Sequence, residues 1–462
     1  MRLFKSFALL AAALAINGCS VGPRYSAPQT PPATYHSTDP RLINDSAFDP
    51  RWWKQFEDPV LDSLIQKSLA ANTSIRAASA RFAQSRAVYD ERKLDRYPTV
   101  PVDATYTYAK EQLPGFYNDP ITINTFHSGF DAYWELDLFG RVRHGIAAAS
   151  SDNQAVEADL NDVKVSVIAE LARNYFELRG AQWRLAVADR SLKNQKDTLR
   201  LTQLRRDAGV GEEQDVASAA ARVAATDATI PLLELEARRA EYRLAVLTAT
   251  RPGELTADLS PHEYSPIDKS LPIGNAGDLL KRRPDVRAAE RRLSAATERQ
   301  GVAVAELFPE VSVSAFVGFV AGRGSLFFTT RSFATTASPG LTWSAFDIGR
   351  ARARVRNSNA ATDEALALYD ETVLRALEEA ENSFSNYHAQ QERLVRLNTQ
   401  AQQSKRAADI ARLRYREGVI DFLSLLDAER TQLQAEDAVA ESERDVYVAV
   451  IALYKALGGV PS

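Results

Sequence analysis

The sequence predicts a mainly α-helical protein with a small β part, a tandem repeat of long helical hairpins carrying four short strands per chain. Three observations predict it. The first is an internal repeat: Leu204-Arg205-Arg206-Asp207-Ala208-Gly209-Val210 returns as Leu413-Arg414-Tyr415-Arg416-Glu417-Gly418-Val419, an offset of 209 residues. The same offset joins Leu185 to Leu394, Leu244 to Leu453, Gly140 to Gly349 and Trp134 to Trp343; upstream it becomes 211, joining Pro98 to Pro309 and Ile75 to Val286. Two residues lost from one loop account for the change, so the chain is a duplication. The second is a proline-free run over 142–206, about 100 Å of helix at 1.5 Å per residue. The third is a pair of stretches, one in each copy, where the hydrophobic period changes from helical spacing to strict alternation.

The elements follow in order. Arg2 and Lys5 precede the apolar run Phe7 to Ile16, too short to span a bilayer and laid out as a secretory signal. It ends at Ile16-Asn17-Gly18-Cys19, where a bacterial lipoprotein signal would be cut, leaving an acylated Cys19 as the new N-terminus. Each buried CH₂ of such a lipid contributes ~0.8 kcal/mol, so two or three chains make a lasting tether. An ordinary signal with an incidental cysteine is the alternative. Cys19 is the only cysteine, so no disulfide can form within the chain. Residues 1–18 are therefore read as signal peptide and 19–50, rich in Pro, Ser and Thr, as a lipidated, irregular segment.

A first repeat is expected over 51–250, a linker over 251–276 and a second repeat over 277–462. Trp52-Trp53 opens the first, and Asp58-Pro59 is a helix-start signal. Helical spacing runs through Leu61, Leu64, Ile65 and Leu69, pauses near Asn72-Thr73, and resumes from Ile75 to about Leu94. Strands are expected at about 99–109 and 126–137, with Val102, Ala104, Tyr106 and Tyr108 on one face of the first. In the second, Phe126, Phe130, Ala132, Trp134 and Leu136 oppose His127, Asp131, Tyr133 and Glu135. The second copy repeats the design at about 311–320 and 333–346. These are lengths of tilted membrane strands, roughly 9 to 11 residues. Alternation also fits a half-buried soluble sheet. Four strands alone, however, would leave open edges, and aromatics gather near the strand ends. Twelve strands from three chains would leave none.

Leu171, Leu178, Leu185, Leu192 and Leu199 fall seven apart, and their equivalents are Ala380, Tyr387, Leu394, Ala401 and Ala408. A seven-residue stripe by itself fits a solid coiled coil. The attached strand pairs favour a hollow continuation of a membrane pore. Glycine after each long helix is a left-handed cap, so Gly209 with Val210 and Gly418 with Val419 are read as hairpin tips.

Composition excludes several functions. The formal charge is −4 and no basic cluster sits beside stacking aromatics, which argues against nucleic acid. His36, His127, His144, His262 and His388 are scattered without metal-ligand spacing, and there is no phosphate loop or nucleophile elbow. Gly322-Arg323-Gly324-Ser325 reads as an inter-strand loop. No enzyme activity, metal or cofactor is expected. Met1 is the only methionine, so no methionine relay for soft metals is present.

Cys19 with Gly22-Pro23-x-Tyr25-x-x-Pro28, then Trp52-Trp53-x-x-Phe56-x-Asp58-Pro59-x-Leu61-x-x-Leu64-Ile65, resembles the TolC-like outer-membrane efflux factors, in the lipoprotein branch serving RND-type pumps. Leu279-Leu280-x-Arg282-Arg283-Pro284-Asp285-Val286-Arg287-x-Ala289-Glu290, with Leu307-Phe308-Pro309, is the most specific phrase, and Phe346-Asp347-x-Gly349-Arg350 and Leu425-Leu426-Asp427-Ala428-x-Arg430 also match. The resemblance implies a homotrimer in which a twelve-stranded outer-membrane barrel continues into a twelve-helix periplasmic tunnel. The tip, with Gly209, Val210, Gly418 and Val419, would meet a periplasmic adaptor carried by an inner-membrane RND pump. The implied cargo is small toxic compounds, with protein secretion or a coiled-coil surface stalk as the alternatives. The family's gate carries over to Leu423, Asp427 and Arg430, which share one helical face, and to Tyr415 as a hydrogen-bond partner across helices. The implied lipid is S-diacylglycerol with an N-palmitoyl chain on Cys19.

Overall fold

The computed structural model describes residues 20–28, 36–44, 46–112, 115, 119–262, 270–274 and 279–459. The loop between the first two strands, with the turn-forming Pro114-Gly115 and Asn118-Asp119-Pro120, lies mostly outside them. The chain divides into two compact units, one of residues 1–29, 81–157 and 288–371, the other of 30–80, 158–287 and 372–462.

The first unit holds the sheet. β2 (Val102–Glu111), β3 (Ile121–Leu136), β5 (Glu310–Ala321) and β6 (Phe333–Thr342) are antiparallel and hydrogen-bonded in the order β2-β3-β5-β6. The register aligns the alternating residues into rows: Val102, Phe130, Val317 and Thr335 lie side by side, as do Trp134, Val313 and Pro339, and Leu136, Val311 and Leu341. A one-residue slip would have moved each apolar set to the opposite face. The other face carries Asp103, Thr105, His127, Asp131 and Tyr133 opposite Ser314 and Ser338. Gly129 pairs with Gly318 there, and the Phe316 ring fills the space where a Cβ on either would stand.

Two strand ends differ from the alternation. β3 begins at Ile121 rather than near 126, because Thr122 and Asn124 pair with Lys110 and Tyr108 despite their polarity. β6 stops at Thr342 rather than 346. The Trp343 indole N–H donates to the Leu307 carbonyl at 3.1 Å, and Asp347 N–H donates to Ser344 at 3.0 Å, which turns the chain into the next helix. Trp134 makes the equivalent bond in the first copy, donating to the Arg96 carbonyl at 3.0 Å, although β3 there continues to Leu136.

The second unit holds the aromatic core. Asp58 caps α1 (Pro59–Ala71) by accepting from Val60 and Leu61 N–H, and Asn72 separates it from α2 (Thr73–Leu94) by accepting from Ser74 and Ile75. Trp52, Trp53, Leu61 and Ile65 pack against α3 (Arg141–Asp207) and α9 (Phe422–Ala456), with Phe176 stacked on Tyr447 at 4.3 Å and Trp52 on Tyr454 at 5.5 Å. The heptad stripe meets this core at Leu171 and Leu178 in the first copy and at Ala380 and Tyr387 in the second; Leu192 and Ala408, further along, are buried outside it.

The return arm of the first hairpin is broken into α4 (Glu213–Asp227) and α5 (Ile230–Leu247), with Pro231 in the first turn of α5. The second copy has Ala440 at that place, and α9 runs unbroken for 35 residues. The stretches read as irregular contain a two-residue parallel pair, β1 (Ile43–Asn44) with β4 (Leu271–Pro272), too short for any period and held by burial of Ile43 and Leu271. After the short α6 (Leu279–Arg282), Pro284 opens α7 (Pro284–Ala305). Buried Arg283 binds Asp285 and Glu379, each at 2.7 Å, and donates to the Ala456 carbonyl at the end of α9. The Arg-Pro-Asp phrase therefore fixes a helix start to a helix end.

Candidate gate at the hairpin tips

Both tips are closed by the same backbone device. At the end of α3, Gly209 N–H donates to Arg206 and Val210 N–H to Arg205; at the end of α8 (Ile348–Arg416), Gly418 donates to Tyr415 and Val419 to Arg414. Both glycines have φ of 75°, the left-handed region that a Cβ makes costly. Val210 and Val419 are exposed beside them.

Beyond the second tip, Asp421 caps α9 by accepting from Ser424 N–H at 2.7 Å, and its carboxyl is held below the usual aspartate range by the Ser424 side chain first and this backbone bond second. Burial on α9 then alternates: Phe422, Leu425, Glu429 and Gln432 face inward, while Leu423, Asp427 and Arg430 share the exposed face. Arg430 donates to Asp427 at 2.5 Å, with the two side chains 56% and 66% exposed. Such a pair within one subunit is worth a few tenths of a kcal/mol.

Tyr415 is not on that face. Its ring is buried against Phe422 and beneath the Arg205 guanidinium at 4.8 Å, and its carbonyl accepts from Arg205 at 2.8 Å. It ties one hairpin tip to the other within a subunit.

Behind the exposed face lies a polar joint that sequence reasoning did not find. Glu429, only 4% exposed, accepts from Arg412 on α8 at 2.9 Å and from Thr198 on α3 at 3.1 Å, and Arg412 also donates to Gln432 at 2.7 Å. A glutamate among surface charges gives no sign of this; only its place in the buried spacing of Leu425 and Gln432 does. Arg222 on α4 stands nearby, its pKa held below the ordinary arginine value by burial first and by the Arg430 charge second, against the opposing charge of Glu429.

Cys19 lies outside the described residues. The segment after it is fixed: Ser20 Oγ lies 2.8 Å from His144 Nε2, whose Nδ1 lies 2.6 Å from Glu298, and Tyr25 donates to Glu290. Among the described residues, no group of three or more His, Cys, Asp or Glu could hold a metal ion, and no helix is long and apolar enough to cross a membrane.

A family model described as outer membrane efflux protein matches residues 64–250 and again 275–459. The pyoverdine export outer membrane protein OpmQ of Pseudomonas putida is 29% identical over 472 residues, covering 99% of this chain and 98% of the relative. Among solved structures, the outer-membrane channel OprN superposes with a TM-score of 0.93 at 49% identity, covering 96% of this chain and 99% of that one. The open state of the Neisseria gonorrhoeae MtrE outer membrane channel gives a TM-score of 0.85 at 28% identity, covering 95% and 98%.

Proposed function

We propose, from the premise that this chain belongs to the outer membrane efflux protein family, that it is the passive exit duct of a tripartite pump for small toxic molecules. The family places it in the outer membrane as the channel component of an efflux system. In this reading, three copies close a twelve-stranded barrel that continues as a twelve-helix tunnel. The observation that supports it best is the sheet: four strands, one apolar face, one polar face, and two outer strands, β2 and β6, each with a free edge. Edges of that length invite pairing with another chain, and closure is what lets a sheet cross lipid.

The tips at Gly209, Val210, Gly418 and Val419 dock to a periplasmic adaptor, which links the duct to an inner-membrane RND pump. Leu423 forms an apolar ring and Asp427 an acidic one, held shut by Arg430. Acyl chains on Cys19 add a second anchor. One relative is named for pyoverdine export, and a water-filled duct need not recognise what passes through it.

The test is susceptibility profiling of a deletion strain that keeps its adaptor and pump. Loss of the gene should sensitise cells to small toxic compounds, and the natural chain should restore resistance. Unchanged susceptibility together with lost secretion of a protein would overturn this reading in favour of protein export. Cys19→Ser should abolish acyl labelling and leave trimers intact on native gels; loss of the trimer would make the lipid part of assembly.

A further inference from the structure

The two long helices begin with the same charged word, and only one copy of it is electrically satisfied. Gly140-Arg141-Val142-Arg143 leads into α3, and Gly349-Arg350-Ala351-Arg352 leads into α8, 209 residues later. In the first copy Glu135 receives Arg141 and Asp137 receives Arg143. In the second copy those two acids are replaced by Ser344 and Phe346. Arg350 turns to Asp347 at 3.0 Å, and Arg354 reaches Glu306 at 2.7 Å. Arg352 and Arg356 are exposed, and neither has an ion-pair partner among the described residues.

What precedes them in the chain is apolar. Leu341, the last residue of the apolar row on β6, is exposed; Trp343 follows it half exposed, and Phe346 is fully exposed. Aromatic rings at the end of an apolar row mark the level of lipid headgroups. Arginines at that level are drawn to anionic headgroups, and the guanidinium fork matches phosphate oxygens two at a time. Arg352 and Arg356 are four apart, so they share one face of α8.

We propose that Arg352 and Arg356, with Trp343 and Phe346, bind the headgroup of an anionic phospholipid in the periplasmic leaflet of the outer membrane. The proposal rests on the barrel reading of the sheet. Lipid is the occupant, rather than free phosphate, because the unpaired cations follow directly in the chain on the exposed end of the apolar row and its two aromatic rings. The first copy is an internal control for one of the two: Arg143, the counterpart of Arg352, is met by Asp137, while Ala147 stands where the second copy has Arg356.

The full chain, purified in mild detergent and stripped of lipid, is offered equal dioleoyl phosphatidylglycerol and dioleoyl phosphatidylcholine, and retained lipid is counted by native mass spectrometry. Phosphatidylglycerol should be retained preferentially. Arg352→Gln and Arg356→Gln should each reduce that preference by about fivefold, while Arg396→Gln should leave it unchanged. Equal retention of the two lipids, or a preference that survives both substitutions, overturns the site. So does displacement of the lipid by inorganic phosphate, which would make it a free-anion site, or a changed oligomeric mass, which would place the arginines between copies. Failure to form pores would sink the duct itself; pores without headgroup preference would sink this site alone.

Discussion

Glycine at the two tips is required by the backbone and not by crowding. A Cβ on Gly209 would meet nothing within 4 Å, and one on Gly418 only the Arg205 guanidinium at 3.8 Å. Gly418→Ala should therefore cost the left-handed penalty alone, about 1–2 kcal/mol. Hydrogen exchange over 414–419 should quicken by about 5- to 30-fold, with the rest of α8 unchanged; unaltered exchange in that turn would refute it. Glu443 offers a pH test. Burial raises its carboxyl pKa above the ordinary 4.5, so the folded state binds the proton more tightly than the unfolded one. Stability then falls as pH rises from 4.5 through the folded value. Glu443→Gln should flatten that part of the thermal-midpoint curve and stabilise the protein at neutral pH, whereas parallel curves for the two proteins would contradict it. At this scale the sequence was legible where chemistry repeats: Gly209 and Gly418 declare each other. Tyr415 was not, because its burial depends on Arg205, 210 residues away, and its resemblance-based role across helices gives no hint of a ring held under that guanidinium.

Elements were easier to read than their ends. The period gave the four strands, since one apolar face admits one register, and it gave the long helices, since no proline interrupts them. It missed the start of β3, where polar Thr122 and Asn124 pair through the backbone alone, and the early stop of β6, after which Asp347 N–H closes a turn on the Ser344 carbonyl. It also missed the joint around Glu429, because a buried charge looks like a surface one until its partners are known. That joint binds α3, α8 and α9 together behind the exposed face of Leu423, Asp427 and Arg430. Glu429→Ala leaves the Arg412 guanidinium without its buried partner, a loss of about 3–5 kcal/mol for such pairs. Limited proteolysis should then cut near 412–432 far faster than in the natural chain, while the sheet stays protected. Equal cutting rates would mean that Arg412 finds a substitute in Asp409, already 2.8 Å away.

For the whole molecule, the decisive question is whether Asp427 and Arg430 act within one subunit or across three. Within one, their 2.5 Å pair is solvated and half exposed, too weak to hold a tunnel shut. Across three, the same residues become a ring in which like charges approach one another, and closure depends on each carboxylate keeping a cation. Asp427→Ala and Arg430→Ala should then each raise the leak conductance of trimers in planar bilayers several-fold, with no change in oligomeric mass. The double variant should leak no more than the worse single one, because residues that act as one pair are not additive. Leu423→Ala, which removes apolar bulk without touching charge, should add to either. Conductance that stays at the natural level in both single variants would leave the pair an ordinary feature of a solvated helix face, and the closed state would have to be sought in the tighter packing of Phe422 and Leu425.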